Sequence, residues 1–185
     1  LQPECESVEG VNFICGPVNA EDLILVPNTD WIVASAMAPD TAFYLVDASS
    51  GEWSAPEIRI DHDADLYPLC PAAPVMESLE THGLNIRAGT GDQTTLYSVV
   101  HGEREAIEVF SVDASGDSPV LTWKGCVLLP DGLAANSVAS FADGSLVATI
   151  LLMPGKTFTD SVAMRPTGAV VKWSPGDSGF TLLEN

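Results

Sequence analysis

Positive charge is what this sequence has least of: 7 Lys and Arg stand against 26 Asp and Glu in 185 residues, a formal net charge of -19 and a pI near 4.1. Nucleic acid binding needs cationic side chains that neutralise phosphates, so this balance argues against a nucleic-acid role and against an anionic membrane surface. Long apolar runs are missing as well. None approaches the ~18 to 20 residues that cross a bilayer, although 46% of the chain is hydrophobic, and no transmembrane anchor is visible. The four cysteines form no CxxC pair and stand near no histidine cluster of zinc spacing, which argues against zinc. Helical periodicity is scarce. The acidic surplus suits solubility in an acidic or salty medium and makes cations the natural partners.

What is present instead is a succession of short alternating or β-branched-rich runs between turns of Gly, Pro, Asp and Ser. The first series is "DLILVP" (22–27), "WIVASAM" (31–37), "FYLVDA" (43–48) and "EIRI" (57–60). The second is "HGLNIR" (82–87), "TLYSVVH" (95–101), "AIEVFSVD" (106–113) and "VLTWKGCVLL" (120–129). The third is "NSVASFA" (136–142), "SLVATILL" (145–152), "GAVVKWSP" (168–175) and "GFTLLE" (179–184). The chain therefore reads as all-β in one domain. Pieces such as "DGS" and "PGDSG" are hairpin turns and not phosphate loops, because no helix follows them.

The three series share a grammar: two strands joined by a turn such as "PNTD" or "ADGS", a third strand running into "DASSGEW", "DASGDSP" or "SPGDSG", then an outer strand. Three repeats of roughly 50 residues, each a four-stranded meander, are the signature of propeller blades. The blades span 21–60, 82–129 and 134–184, and the segment "DHDADLYPLCPAAPVMESLET" between the first two lacks the rhythm and is expected to loop across one face. Propellers close with about four to eight blades, so three are a partial ring. A companion chain carrying the remaining blades is the first expectation, ahead of a fragment or a second copy, because an open sheet edge of this length is an aggregation hazard.

Four stretches, "AEDLILVPNTDWIVASAM", "HGLNI", "LYSVVHGEREAIEVFSVD" and "LLPDGLAANSVASFADGSLVAT", occur in an order and spacing that resemble the paraoxonase/arylesterase family. That family lies within the superfamily of gluconolactonase-like and strictosidine-synthase-like six-bladed propellers. The resemblance covers about the first half of that fold, and it implies three four-stranded blades, half of a six-bladed β-propeller, in a calcium-dependent hydrolase of lactones or esters. It further implies that Glu21 binds a catalytic Ca2+ together with Asn136, and that Asp22 and the backbone carbonyl of Leu84 bind a second, structural ion. His82 corresponds to the general base and His101 to its dyad partner.

The residue types suit that chemistry independently. Calcium takes six to eight oxygen ligands, which carboxylate, amide and backbone carbonyl groups supply. A bound ion polarises a carbonyl while a neutral histidine deprotonates the attacking water. Ser137 stands where the family has an aspartate, so the structural calcium is expected to be weakened or absent. The family's further ligands come from blades this chain does not contain, so the site is expected to need a companion chain. Two other readings suit the same residues: a strictosidine-synthase-like condensing enzyme using the same axial site, and a non-catalytic propeller module whose metal is structural. His62 in "DHDAD" reads as a surface residue.

An even number of widely spaced cysteines suits disulfides in a secreted or periplasmic protein, although four buried free thiols would look the same, and the start at "LQPECESVEG" without an initiator Met suits a processed N-terminus or an artificial boundary. Cys70 and Cys126 are a candidate internal bridge. In the family one disulfide ties the N-terminal strand to the far end of the ring, which implies that Cys5 or Cys15 pairs with the missing half.

Overall fold

The computed structural model describes residues 7–38, 40–89 and 94–183. Its strands assemble into three sheets. The first holds β1 (Leu23–Leu25), β2 (Trp31–Ser35), β3 (Phe43–Asp47) and β4 (Trp53–Ser54) in sequence order. The middle sheet contains β5 (Glu57–Ile60), β6 (Glu80–Ala88), β7 (Thr94–His101), β8 (Ala106–Asp113) and β9 (Val120–Leu128), in the order β5-β9-β8-β7-β6. The third is the meander β10 (Ala135–Ser140), β11 (Leu146–Ile150), β12 (Ala169–Trp173) and β13 (Thr181–Leu182). A short helix, α1 (Phe158–Val162), sits between β11 and β12, started by a capping box in which Thr157 and Asp160 bond each other's backbone N–H.

Turn chemistry repeats along with the strands. Asp47 ends β3 and Asp113 ends β8, and each carboxylate accepts from the N–H and hydroxyl of the serine two residues on, Ser49 or Ser115. These serine hydrogen bonds hold both carboxyls below the ordinary aspartate range. The "DAS" pieces are thus Asx turns that direct each third strand toward its outer neighbour.

One strand departs from the repeat. "EIRI" is expected as the outer strand of the first repeat, yet β4 already pairs with β3, and β5 runs parallel to β9 of the middle sheet. Pro56, with its fixed φ, holds the preceding Ala55 extended, so the chain cannot reverse into a hairpin after β4. It runs on and covers the free edge of β9 instead.

The middle sheet is buried on both faces. Every residue from Ala106 to Phe110 is buried, including Glu108. Phe110 meets Phe43 of the first sheet edge-on, with ring centroids 5.3 Å apart. Toward the third sheet, Asn85 accepts from the N–H and hydroxyl of Ser140. Thr81 joins the first two sheets, since its hydroxyl accepts from Ala36 N–H and donates to the Ala42 carbonyl.

The arrhythmic segment after β5 follows β9. Asp61 and Asp63 donate backbone N–H groups to the carbonyls of Trp123 and Lys124, and Tyr67 lies over Gly125, where a Cβ would fall 2.7 Å from the tyrosine ring. Cys70 bonds Cys126 and pins the segment to β9. Tyr67 also stacks on Trp173 of the third sheet. Cys15 is itself disulfide-bonded, so it is not held in reserve for another chain; Cys5 lies outside the described residues.

Candidate functional site

The first strands of the three sheets are drawn together, with β6 in contact with both β1 and β10. The reason is local. On β6 the pairing with β7 steps from Thr81↔Val100 to Leu84↔Ser98, so His82 and Gly83 together face the single residue Val99. On β10 the register steps from Ala135↔Ile150 to Ser137↔Thr149, which leaves Asn136 as the extra residue. A bulge bends its strand and re-aims the side chain at the irregularity. Gly83 is required there: a Cβ would lie 2.5 Å from the Asn136 carbonyl oxygen and 2.8 Å from the Ser137 Cα. The bulge of one strand is seated directly on the bulge of the next.

His82 and His101 meet across the bulge, with Nδ1 of His82 3.1 Å from Nε2 of His101 and the ring centroids 5.3 Å apart. The other nitrogen of each ring faces a carboxylate. His82 Nε2 is 3.3 Å from Glu21 Oε1, and His101 Nδ1 is 2.7 Å from Glu105 Oε2. Four residues from β6, β7, the segment before β1 and the β7–β8 hairpin thus form one chain, Glu21–His82–His101–Glu105. Its two imidazoles are 15% and 17% exposed, whereas Glu21 at the open end is 47% exposed. The protected part lies at the dyad and the accessible part at Glu21.

The backbone of the Glu21–Asp22 pair is fixed by Ser35, a buried residue at the end of β2 whose hydroxyl accepts from both N–H groups, at 3.2 and 2.9 Å. The Asp22 carboxylate accepts from Leu23 N–H and, 62 positions along the chain, from Leu84 N–H at 2.8 Å. Asp22 and Leu84 are therefore brought together, through the N–H of Leu84. Asn136 is half-buried, and its side-chain amide makes no hydrogen bond to a described residue. Ser137 donates its N–H to Thr149 Oγ1. Among the described residues no three His, Cys, Asp or Glu side chains are grouped as a metal cluster, so a metal here would draw on amide and carbonyl oxygens beside Glu21.

Two residues of this region are not singled out by sequence reasoning. Glu105 reads there only as part of the hairpin "GERE", although the pairing of Val100 with Ala106 places residues 101 and 105 on either side of a tight loop. Ser35 reads as the end of an apolar strand. His62, expected on the surface, is exposed, with its ring against Trp123.

A second polar group lies nearby and is closed. Glu108 is fully buried; one carboxylate oxygen receives Arg104 Nε at 2.7 Å, and the other receives Trp123 Nε1 at 2.6 Å. Burial pushes the Glu108 carboxyl above the ordinary glutamate range, while Arg104 and the indole N–H pull it back down. Arg104 also donates to the Ala72 carbonyl, so this group ties the β7–β8 hairpin to the segment that crosses β9.

No protein-family model matches this chain, and no curated protein matches it.

Proposed function

We propose that the chain forms three adjoining blades, half of a six-bladed β-propeller, and supplies the histidine base and part of the calcium site of a paraoxonase-like hydrolase of lactones or esters. The observation that carries this reading is the double bulge. It sets His82 against Glu21, backs it with His101, and seats Gly83 on Asn136, so that five residues from four separate stretches of the chain share one place.

The donor types fit a hard cation. Among the described residues nothing hydrogen-bonds to the second carboxylate oxygen of Glu21 or to the side-chain amide of Asn136. These two would hold the catalytic ion, and Asp22 with the Leu84 carbonyl would hold the structural one, where Ser137 offers a hydroxyl in place of a carboxylate. A calcium ion held by Glu21 and Asn136 would supply the Lewis acid that polarises an ester or lactone carbonyl. His82 takes the proton of the attacking water, and His101 holds its ring from behind. The remaining ligands and pocket walls would come from the other blades of such a propeller. The Cys70–Cys126 bridge favours a secreted or periplasmic setting.

Phenyl acetate and simple γ- and δ-lactones, offered to the complete protein, test the reading. Hydrolysis of at least one is expected, with loss in EDTA and recovery on adding calcium. Turnover that persists in excess chelator would sink the calcium mechanism. If none of these substrates is cleaved while Glu21→Gln lowers bound calcium and stability, the site is a structural metal site in a binding module.

A further inference from the structure

We infer that Glu105 is a positioning residue: it sets the direction of the hydrogen bonds through both histidines and thereby leaves Nε2 of His82 unprotonated and facing Glu21. The reasoning starts from an acceptor that has no choice. An ionised carboxylate only accepts, so at 2.7 Å the Nδ1 of His101 carries the hydrogen. In a neutral imidazole the other nitrogen is then a lone-pair acceptor, which leaves His101 Nε2 bare.

His82 Nδ1 lies 3.1 Å from that nitrogen and must be the donor between the two rings. Glu21 Oε1 also faces His82, but at 3.3 Å it makes no hydrogen bond with Nε2, whereas Glu105 makes one of 2.7 Å with His101; Glu105 therefore sets the direction, the hydrogen of neutral His82 is spent on Nδ1, and its Nε2 keeps a lone pair on the open side of the site. With the direction reversed, His82 would carry its hydrogen on Nε2 and could not accept one from water there. Choosing which nitrogen of a histidine carries the proton through the hydrogen bond on the other is an established role for a carboxylate behind an imidazole. Here the control acts through two rings instead of one.

The hairpin is built to keep Glu105 in place. Residue 105 immediately precedes β8, and its carbonyl accepts Leu129 N–H at 2.9 Å. Its neighbour Arg104 is held by Glu108 and Ala72. The carboxylate is therefore presented from a hairpin anchored at the Glu105 carbonyl and at the neighbouring Arg104 side chain.

The consequence for rate rests on the hydrolase reading; the placement of protons does not. The chain has three histidines, so ¹⁵N NMR of the full protein at neutral pH resolves each ring. In the wild type, His101 is expected protonated at Nδ1 with a bare Nε2, and His82 likewise protonated at Nδ1. In Glu105→Leu both rings are expected to move toward the Nε2–H form, and Glu105→Gln, which keeps an acceptor oxygen, is expected to restore the wild-type pattern. On a hydrolysed ester the Leu variant should lose ~10- to 100-fold in kcat with KM little changed.

Wild-type His101 protonated at Nε2, or the same tautomers in the wild type and the Leu variant, would overturn the role of Glu105. Should the Leu variant fail to fold, the wild-type and Gln spectra decide. Tautomers that respond as expected in a protein that cleaves no ester or lactone would leave Glu105 its role and remove the hydrolase reading alone.

Discussion

Arg104 and Glu105 are neighbours in one hairpin and serve two polar networks of opposite design. Arg104 enters a closed group in which Glu108 is fully buried and both its oxygens are matched by strong donors. Glu105 joins a chain that runs through two partly exposed imidazoles to a half-exposed carboxylate, with a spare oxygen at its open end. A buried carboxylate with both oxygens satisfied rigidifies the fold around it. A chain of titratable groups with an open end can accept a proton from a bound molecule. The difference between stability and chemistry lies in which partners are left over, since the residue types on both sides are similar.

The largest effects should come from the closed side. Glu108→Ala strands the Arg104 charge and the Trp123 N–H, and should cost about 3 to 5 kcal/mol in urea unfolding, while any activity per folded molecule is retained. Normal stability with lost turnover would reverse the two assignments. Replacing Cys70 and Cys126 together by serine opens a loop spanning 56 positions, for which chain entropy gives about 4 kcal/mol. That variant should loosen the segment carrying Ala72, seen as faster amide exchange across residues 61–79, and leave the pairing of His82 with His101 intact.

On the open side the order of effects is inverted. On the proposed hydrolase reading, His82→Gln should lower ester or lactone turnover by ~10² or more with little change in thermal midpoint; an undiminished rate would reduce His82 to a bulge residue. Gly83→Ala should act on both scales. Its Cβ would strike the backbone of Asn136 and Ser137, so β6 and β10 must separate, at about 1 to 3 kcal/mol and, if the proposed calcium site is there, with weaker calcium binding by titration calorimetry. If both stay at wild-type levels, β6 is not seated on β10 as described.

The smallest effect is a slope with pH. Because burial raises the Glu108 carboxyl, the folded protein keeps this proton at a pH where the unfolded chain has released it. Its contribution is greatest below the ordinary glutamate value and declines as pH rises through the raised one. Asp47 and Asp113, lowered by their serines, contribute in the opposite sense, above the ordinary aspartate value and less as pH falls. Unfolding free energies from pH ~4 to ~8 should therefore decline less steeply toward high pH in Glu108→Gln than in the wild type. Parallel curves would show that Glu108 does not titrate in this window.

Much of the strand pattern is legible beforehand, because alternation, β-branched residues and turn residues act within a few positions of one another. The "DAS" turns are of this kind, as is "AIEVFSVD", whose residues 106–113 coincide with β8. That His82 and His101 could meet is legible because consecutive strands of a meander are neighbours, and β6 does pair with β7, with Nδ1 of one ring 3.1 Å from Nε2 of the other. The destination of "EIRI" is not legible. Its four residues carry the same strand signal whichever edge they join, and the choice depended on β4 filling one edge and Pro56 preventing a reversal. Glu105 and Ser35 were missed for a related reason: a carboxylate in a hairpin and a serine closing a strand are ordinary until a partner from another segment is placed against them.

By itself the sequence determined the all-β character, the acidic surface, the positions of the turns and the capacity for disulfides. Each of these depends on side-chain chemistry or on neighbours a few residues away. The tertiary structure alone decided that two bulges should be stacked, that β5 should change sheets, and that one hairpin should feed a closed ion pair and an open histidine chain at once. Those outcomes depend on which surfaces meet across 50 or more positions, as between Asp22 and Leu84 or Asn85 and Ser140, where no local preference reaches.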